Sequence, residues 1–289
     1  MQPFDSIDRL EQAKALDPAV KKLRKLVRRK VQPQSLRDVL HGVWLGHPLH
    51  PVLVQVPVGA WSSAAVLDLI PGMGKPSSIL IGTGLATAGP AAVAGFTDWS
   101  ELNTPQQRVG MVHASANITG VLLYSASLVA RARGNSGVGK ALGFAGLGTV
   151  AFGGVLGGHL SYSQASGANR IDHVPYVTPS GWTAVGPIAD LPEGRPVRRM
   201  LGEVPLFVLR RGTSYSVLTD NCSHLSGPLH EGQLTTSKAG ADCIVCPWHG
   251  STFRLDDGGV EHGPATNQQL VFDTRVVDDQ LEVHLDQSA

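Results

Sequence analysis

Hydrophobic and polar positions change rhythm twice along this chain. From residue 1 to about 34 the chain is polar and basic. Within it Leu16, Val20, Leu23, Val27 and Val31 recur at helical spacing among Lys21, Lys22, Arg24, Lys25, Arg28, Arg29 and Lys30. Asp17-Pro18 reads as an N-cap followed by proline at the first helical position. Such a helix either lies on an anionic bilayer surface or packs its stripe against the neighbouring domain. Four apolar stretches follow, at about 52–70, 78–96, 112–130 and 141–160. Each is near the roughly twenty residues that span a bilayer as a helix. The last three carry no charge, and the first carries only Asp68 near its end. Soluble core helices of this length would show polar faces, so the pattern predicts four transmembrane helices. Gly82, Gly84 and Gly89, and the small-xxx-small pairs Gly153/Gly157 and Gly154/Gly158, let such helices approach closely. Short loops at 71–77, 97–110 and 131–140 join them.

After a polar stretch at 161–180, containing Gly167, Pro175 and Pro179, the period becomes that of strands. These are read at Leu206–Leu209, Tyr215–Leu218, Cys243–Cys246, Leu270–Phe272 and Leu281–Leu285, with Gly, Asp and Asn at the turns. The expected fold is therefore an α-helical four-span membrane bundle followed by an all-β domain. Its parts are a basic amphipathic segment at 1–40, a helical domain at 41–165, a linker at 166–180 and the β domain at 181–289. No internal repeat is read beyond the pairing of helices.

Composition sharpens this picture. Of 289 residues, 42% are hydrophobic, only 16% are charged and 34 are Gly, a balance that favours membrane helices in close contact. A net charge of +1 gives no basis for a nucleic-acid partner. Three Cys, at 222, 243 and 246, do not make a disulfide framework. No apolar run follows the N-terminus, so no signal peptide is read. A phosphate loop, a nucleophile triad and HExxH are likewise not read, and Gly82-Thr83-Gly84 is better taken as helix packing.

Polar residues in the helical domain fall in one layer. His47-Pro48-Leu49-His50-Pro51 precedes the first apolar stretch, His113 starts the third, His159 ends the fourth, and Asp98 and Trp99 end the second. An even number of spans puts this layer on the side of the N-terminus and the β domain. Imidazoles on facing helices are how bundles hold haem or metals. His47, His50, His113 and His159 are thus candidates for a haem b or a bare metal ion, with interfacial hydrogen bonding as the plain alternative. The HPLHP stretch in this layout resembles a small family of bacterial four-helix membrane proteins, which supplies architecture but no activity.

Cys222-Ser223-His224 and Cys246-Pro247-Trp248-His249 make a set of two thiolates and two imidazoles. Zinc could use the same set. The flanks, CSHLSGPL and CPWHGSTF, resemble instead the Rieske family, from about Gly181 to the C-terminus. Leu191-Pro192-Glu193-Gly194 is similar to that family's opening strand and turn. Gly258-Gly259 and Gly263-Pro264-Ala265 are similar to its hairpin and its cluster-covering proline loop. The resemblance implies a [2Fe–2S] cluster with Cys222 and Cys246 on an inner iron and His224 and His249 on an outer, more exposed one. Trp248, Gly250, Ser251 and Pro264 would surround it. The respiratory type has two further Cys joined as a disulfide; Ser226 or Gly227, and Trp248, stand there in this chain. Ser251 matches a residue that hydrogen-bonds a sulfide, whereas Phe253 stands where the high-potential type has a Tyr hydroxyl. The resemblance is therefore to the ferredoxin and oxygenase type, and fewer hydrogen bonds to sulfur place the midpoint in the lower half of the Rieske range.

The expected activity is one-electron transfer with a partner protein by a carrier tied to the lipid bilayer, a component of an oxidoreductase system rather than a stand-alone enzyme. The exposed imidazoles can lose protons on oxidation and make the potential pH-dependent at high pH. A terminal oxygenase would need a further two-His-one-carboxylate iron domain, for which residues after Leu285 leave no room. A ferredoxin feeding a separate oxygenase and a redox sensor are the alternatives. Lys and Arg near the helix ends do not decide the side of the membrane. The basic N-terminal cluster and the want of a disulfide favour a cytoplasmic β domain in the cell membrane.

Overall fold

The computed structural model describes residues 5–286 and divides into two compact units. The first four and last three residues of the expected end segments lie outside the described residues. One unit comprises Met1–Pro33 with Pro48–Gly167, the other Gln34–His47 with Ala168–Ala289.

The first unit is helical. Helices α1 (Asp5–Glu11) and α2 (Asp17–Lys30) precede α4 (His50–Leu53), α5 (Gln55–Asp68), α6 (Gly74–Trp99), α7 (Thr104–Ala132) and α8 (Ser136–Gly158); α3 (Gln34–His41) belongs to the other unit. Among the described residues, three helices are long and apolar enough to cross a membrane: α6, α7, and α8 extended through the π-turn His159–Ser163. The first apolar stretch is not one unbroken helix. It divides at Val54, leaving α5 with 14 residues. Pro57 explains the break, because it cannot donate to the Leu53 carbonyl and its ring crowds that group. Still, α5 packs against both α6 and α8 as the fourth member of the bundle. The connections are shorter than expected because Asn103 closes a capping box with Gln106 on α7 and Asn135 caps α8, so both helices begin early.

Contacts inside the bundle reveal a repeat that the sequence reading missed. Asp68 pairs with Arg131 at a separation of 63 residues. His50 meets His113, and Trp61 stacks on Tyr124 with centroids 4.5 Å apart, both at that same separation. The second helix of each pair repeats too, with an offset one residue shorter. Gly84 lies under Trp61 as Gly146 lies under Tyr124, and Gly95 lies under His50 as Gly157 lies under His113. Ser77 donates to Ala64 O across the first helix pair, and Ser127 donates to Gly139 O across the second. The bundle is therefore two helical hairpins, α4–α6 and α7–α8, related by a pseudo-two-fold axis, a parallel repeat of the kind seen in membrane folds.

The basic helix α2 does not offer its apolar stripe to lipid. Val20 and Val27 are buried against Trp99 and Leu102 at the end of the bundle, with Leu16, Leu23 and Val31 beside them. Arg28 pairs with Glu101, and Arg24 Nε donates to Ser100 O at 2.9 Å. Asp17 is the first residue of α2 rather than its cap, and its carboxylate is held by Arg108 (2.7 Å). That ion pair outcompetes the capping geometry expected from sequence.

The second unit is built on three antiparallel sheets. Strands β1 (Thr183–Pro187), β10 (Gln280–His284) and β9 (Asp273–Val277) pair in that order. A second sheet is β2 (Val197–Leu201), β3 (Val204–Arg211) and β4 (Ser214–Thr219). The third is β5 (Gln233–Thr236), β6 (Asp242–Val245), β7 (Thr252–Arg254) and β8 (Val260–His262). The strand expected at Leu270–Phe272 is instead a single bridge, Leu218 to Val271, with β9 starting after it. One apolar core joins the first two sheets; a second, around Phe207, Leu218, Ile244 and Phe253, lies under the Cys loops. The stretch read as a polar linker carries the helix α9 (Val174–Val177) and buries Ile171 and Val174 in the first of these cores.

Candidate metal centre

Two loops on the third sheet and its neighbour form the site. The first, between β4 and β5, begins at Cys222; the second, between β6 and β7, begins at Cys246. They close by the same hydrogen-bond pattern. Cys222 N–H donates to Gly227 O (2.9 Å) and Cys246 N–H to Ser251 O (2.8 Å). In return Ser226 N–H donates to Cys222 O (2.8 Å) and Gly250 N–H to Cys246 O (3.1 Å). The fifth residue of each loop is left-handed: Ser226 at φ 62° and Gly250 at φ 80°. Gly250 takes that conformation without steric cost, and in the first loop a serine is held there by the surrounding bonds.

This folding turns both thiols inward and both imidazoles outward. Cys222 and Cys246 are buried, while His224 and His249 are half-buried with ring centroids 5.2 Å apart and planes at 87°. The backbone N–H groups of His224 and Leu225 point at Cys222 sulfur, and those of Trp248 and His249 at Cys246 sulfur. A proton shared between the two thiols pushes Cys222 well above the ordinary thiol range, with burial adding to the rise, and pulls Cys246 down to about 7. Four N–H donors aimed at a close pair of sulfurs are what a thiolate pair needs in a site closed to water. Gly227 has no room for a side chain: a Cβ there would lie 2.8 Å from Cys246 Sγ and 3.1 Å from Trp248. Gly227, rather than Ser226, thus faces Trp248.

These residues fit a two-iron cluster. Paired thiols and paired imidazoles provide two separate ligand pairs, and among the described residues no three His, Cys, Asp or Glu side chains converge as a single-ion site. A tetrahedral zinc would draw all four onto one point. Cys243 does not join them; it sits on β6, buried, with burial first and then Glu261 raising its pKa.

The surrounding residues are partly as the sequence predicts. Ser251 is fully buried, and its Oγ accepts from Ala265 N–H (2.9 Å), tying the proline loop at Pro264 to the second Cys loop. Trp248 stands 56% exposed beside His249. Phe253 is buried in the core below. Sequence reasoning missed three braces. Asp220 is buried and accepts from both the N–H and the Nδ1 of His230, each at 2.7 Å, anchoring the first loop. Arg170 N–H donates to Ser223 O (3.0 Å). Asp38 of α3 accepts from Gly263 N–H (3.0 Å) and pairs with His262 (2.9 Å), so a segment preceding the bundle grips the proline loop. None of the three belongs to a local motif.

Of the four expected histidines, the three in the helical unit do not gather around one point. His50 and His113 meet, with centroids 6.3 Å apart. His159 is instead bonded to Glu11 through Nε2 at 3.0 Å, and His47 belongs to the other unit.

Two family models and several known proteins match parts of this chain. The family model described as Rieske [2Fe–2S] domain matches residues 181–278, and that described as Predicted membrane protein (DUF2231) matches 46–170. The anthranilate 1,2-dioxygenase ferredoxin subunit of Burkholderia cepacia is 31% identical over 104 residues, covering 36% of this chain and 92% of the ferredoxin. The cytochrome b6-f complex iron-sulfur subunit of Chlorobaculum tepidum is 26% identical over 102 residues, or 35% of this chain and 52% of that subunit. Among solved structures, the complex of reduced oxygenase and oxidized ferredoxin in carbazole 1,9a-dioxygenase matches at 31% identity and TM-score 0.31, over 36% of this chain and 92% of the matched one. The chain belongs to the Rieske [2Fe–2S] family through residues 181–278, joined behind a DUF2231 membrane domain.

Proposed function

We propose that the protein is a membrane-anchored one-electron carrier. The observation that carries this reading is the pair of matched loops, which set two thiols side by side in a dry pocket under two half-exposed imidazoles. Cys222 and Cys246 would hold the inner iron, His224 and His249 the outer. When bound, the cluster supplies one-electron chemistry at a potential above that of all-Cys ferredoxins. The chain's own part is to hold the charge. Four backbone N–H groups stabilise the thiolates, and the Ser251 side chain and the proline loop exclude water. The exposed edge of His224, His249 and Trp248 is where a partner protein would dock, since electron exchange needs close approach to the imidazoles.

The anchor has four spans in this reading. α4 and α5 together run from His50 to Asp68, close to the roughly twenty residues that span a bilayer as a helix, and α5 packs among the longer helices. An even count would set both ends of the chain on one side, and the basic α2 and the want of a disulfide among the described Cys favour the cytoplasm for it. A C-terminal reporter fusion tests that side. In this reading the bundle would hold a second redox group, a haem or a metal, with which the cluster would exchange electrons.

A second reading is favoured by similarity to the anthranilate 1,2-dioxygenase ferredoxin subunit: the domain would feed a separate oxygenase. Iron and acid-labile sulfide analysis of the detergent-purified full chain, with reductive titration, tests the carrier function. Two non-haem irons, two acid-labile sulfides and one electron taken up by the cluster per chain are expected. Bound zinc without sulfide would refute it, and turnover with an added oxygenase would select the second reading.

A further inference from the structure

The bundle pairs His50 and His113 in a way that packing alone does not require. His50 Nδ1 lies 2.8 Å from Ala91 O, and His113 Nδ1 lies 2.7 Å from Gly153 O. A carbonyl only accepts, so both Nδ1 atoms carry the proton, and in the neutral imidazoles both Nε2 atoms then carry the lone pair. One turn further along each receiving helix a glycine makes room for the ring. A Cβ at Gly95 would lie 2.8 Å from His50, and one at Gly157 would lie 3.2 Å from His113. The same device thus occurs twice, once in each hairpin. The Asn117 amide stands 3.4 Å from His113 Nε2 but already donates to His113 O at 2.9 Å, so it can leave Nε2 to a metal without losing its own bond.

The two rings meet edge-on across the pseudo-two-fold axis, with centroids 6.3 Å apart and planes at 84°. Nitrogen–metal bonds of about 2 Å on either side of one ion would put two imidazole centroids roughly 6 Å apart. An Nδ1–H given to a backbone carbonyl is the outer bond that orients a ligating histidine. Among the described residues no third His, Cys, Asp or Glu joins the pair. A bare divalent ion would lack protein donors there. An ion that brings its own four equatorial donors needs two axial imidazoles and nothing more. Covalent attachment is not available, because Cys243-Ile-Val-Cys246 is followed by proline, not by the histidine of a c-type motif.

We infer that His50 and His113 are the axial ligands of a non-covalently bound haem on the pseudo-two-fold axis of the bundle. This goes beyond the carrier reading by naming a second centre and its ligands; it depends on that reading only for the centre's purpose. His159, bonded to Glu11, is not a ligand.

The test is optical and EPR spectroscopy of the full chain, expressed in haem-replete cells and purified in mild detergent, with the cluster signal recorded on the same sample. One haem per chain is expected, with a Soret band that shifts and an α-band that sharpens on reduction. Near-perpendicular rings predict a strongly anisotropic low-spin ferric EPR signal. His50→Ala and His113→Ala should each abolish the six-coordinate spectrum while the cluster signal persists; His159→Ala should leave the spectrum unchanged. Added imidazole should restore it in His113→Ala, which a merely unfolded bundle would not permit. Cluster-loaded protein without haem, haem retained in both variants, or a stoichiometric divalent ion in place of haem would overturn the inference. A missing cluster signal would count against the carrier reading instead.

Discussion

The two histidine-bearing regions of this protein are built in opposite ways. In the β unit, two loops of near-identical hydrogen bonding bring ligand-type residues together from positions close in sequence, and backbone N–H groups point at the sulfurs. In the bundle, single residues on separate helices meet across a pseudo-two-fold axis, held by interhelical side-chain bonds and glycine contacts. The first design places precision in the loop backbone; the second places it in helix packing. The loop site should therefore fail when a ligand is lost, and the bundle when a buried pair is broken.

The largest expected effect is on the loop site. Cys222→Ser should remove all cluster iron and sulfide, and thermal unfolding followed by tryptophan fluorescence should show the β unit destabilised while the helical signal in circular dichroism holds. Loss of the helical signal at the same temperature would contradict the independence of the two designs. Next is the buried Asp68–Arg131 pair, with side chains 3% and 7% exposed. Removing one partner leaves an uncompensated charge, so Asp68→Ala should cost roughly 3–5 kcal/mol in denaturant unfolding of the bundle. Because the two positions are equivalent by the repeat, exchanging them, Asp68→Arg with Arg131→Asp, should recover most of that loss. A double variant no better than the single one would count against the pseudo-two-fold relation.

What was legible in the sequence follows the same division. Cys222, His224, Cys246 and His249 stand in two short segments whose Gly and Pro flanks set the loops, so a linear reading finds the whole ligand-type set. The all-β class and the apolar helices were also readable, because their periods are local. The partners of His50, Trp61 and Asp68 were not, since each lies 63 residues away, as Arg131 does from Asp68, and the paired types differ at two of the three positions. Trp against Tyr and Asp against Arg leave no visible self-similarity. The break before α5 was signalled by Pro57, but the apolar run concealed it. The docking of α2 on Trp99 and Leu102, and of Asp38 on the proline loop, needed contacts that no local pattern records.

Two smaller effects sharpen the comparison. Phe253→Tyr should give a cluster sulfur one more hydrogen-bond donor. At about 1 kcal/mol for such a bond, protein-film voltammetry should show the midpoint raised by roughly 40 mV. An unchanged midpoint would show that the hydroxyl cannot reach the sulfur. Asp38→Ala removes the acceptor for Gly263 N–H and the partner of His262, and should cost about 1 kcal/mol in the β unit with the cluster retained. Loss of the cluster would mean that α3 is part of the site rather than a brace upon it.

The most direct test of the carrier claim is the EPR spectrum of the dithionite-reduced full chain at low temperature. A rhombic signal with an average g clearly below that of all-Cys [2Fe–2S] centres is expected, because two imidazoles replace two thiolates on one iron. An EPR-silent protein holding stoichiometric zinc, or a signal with the average g of an all-Cys centre, would contradict it.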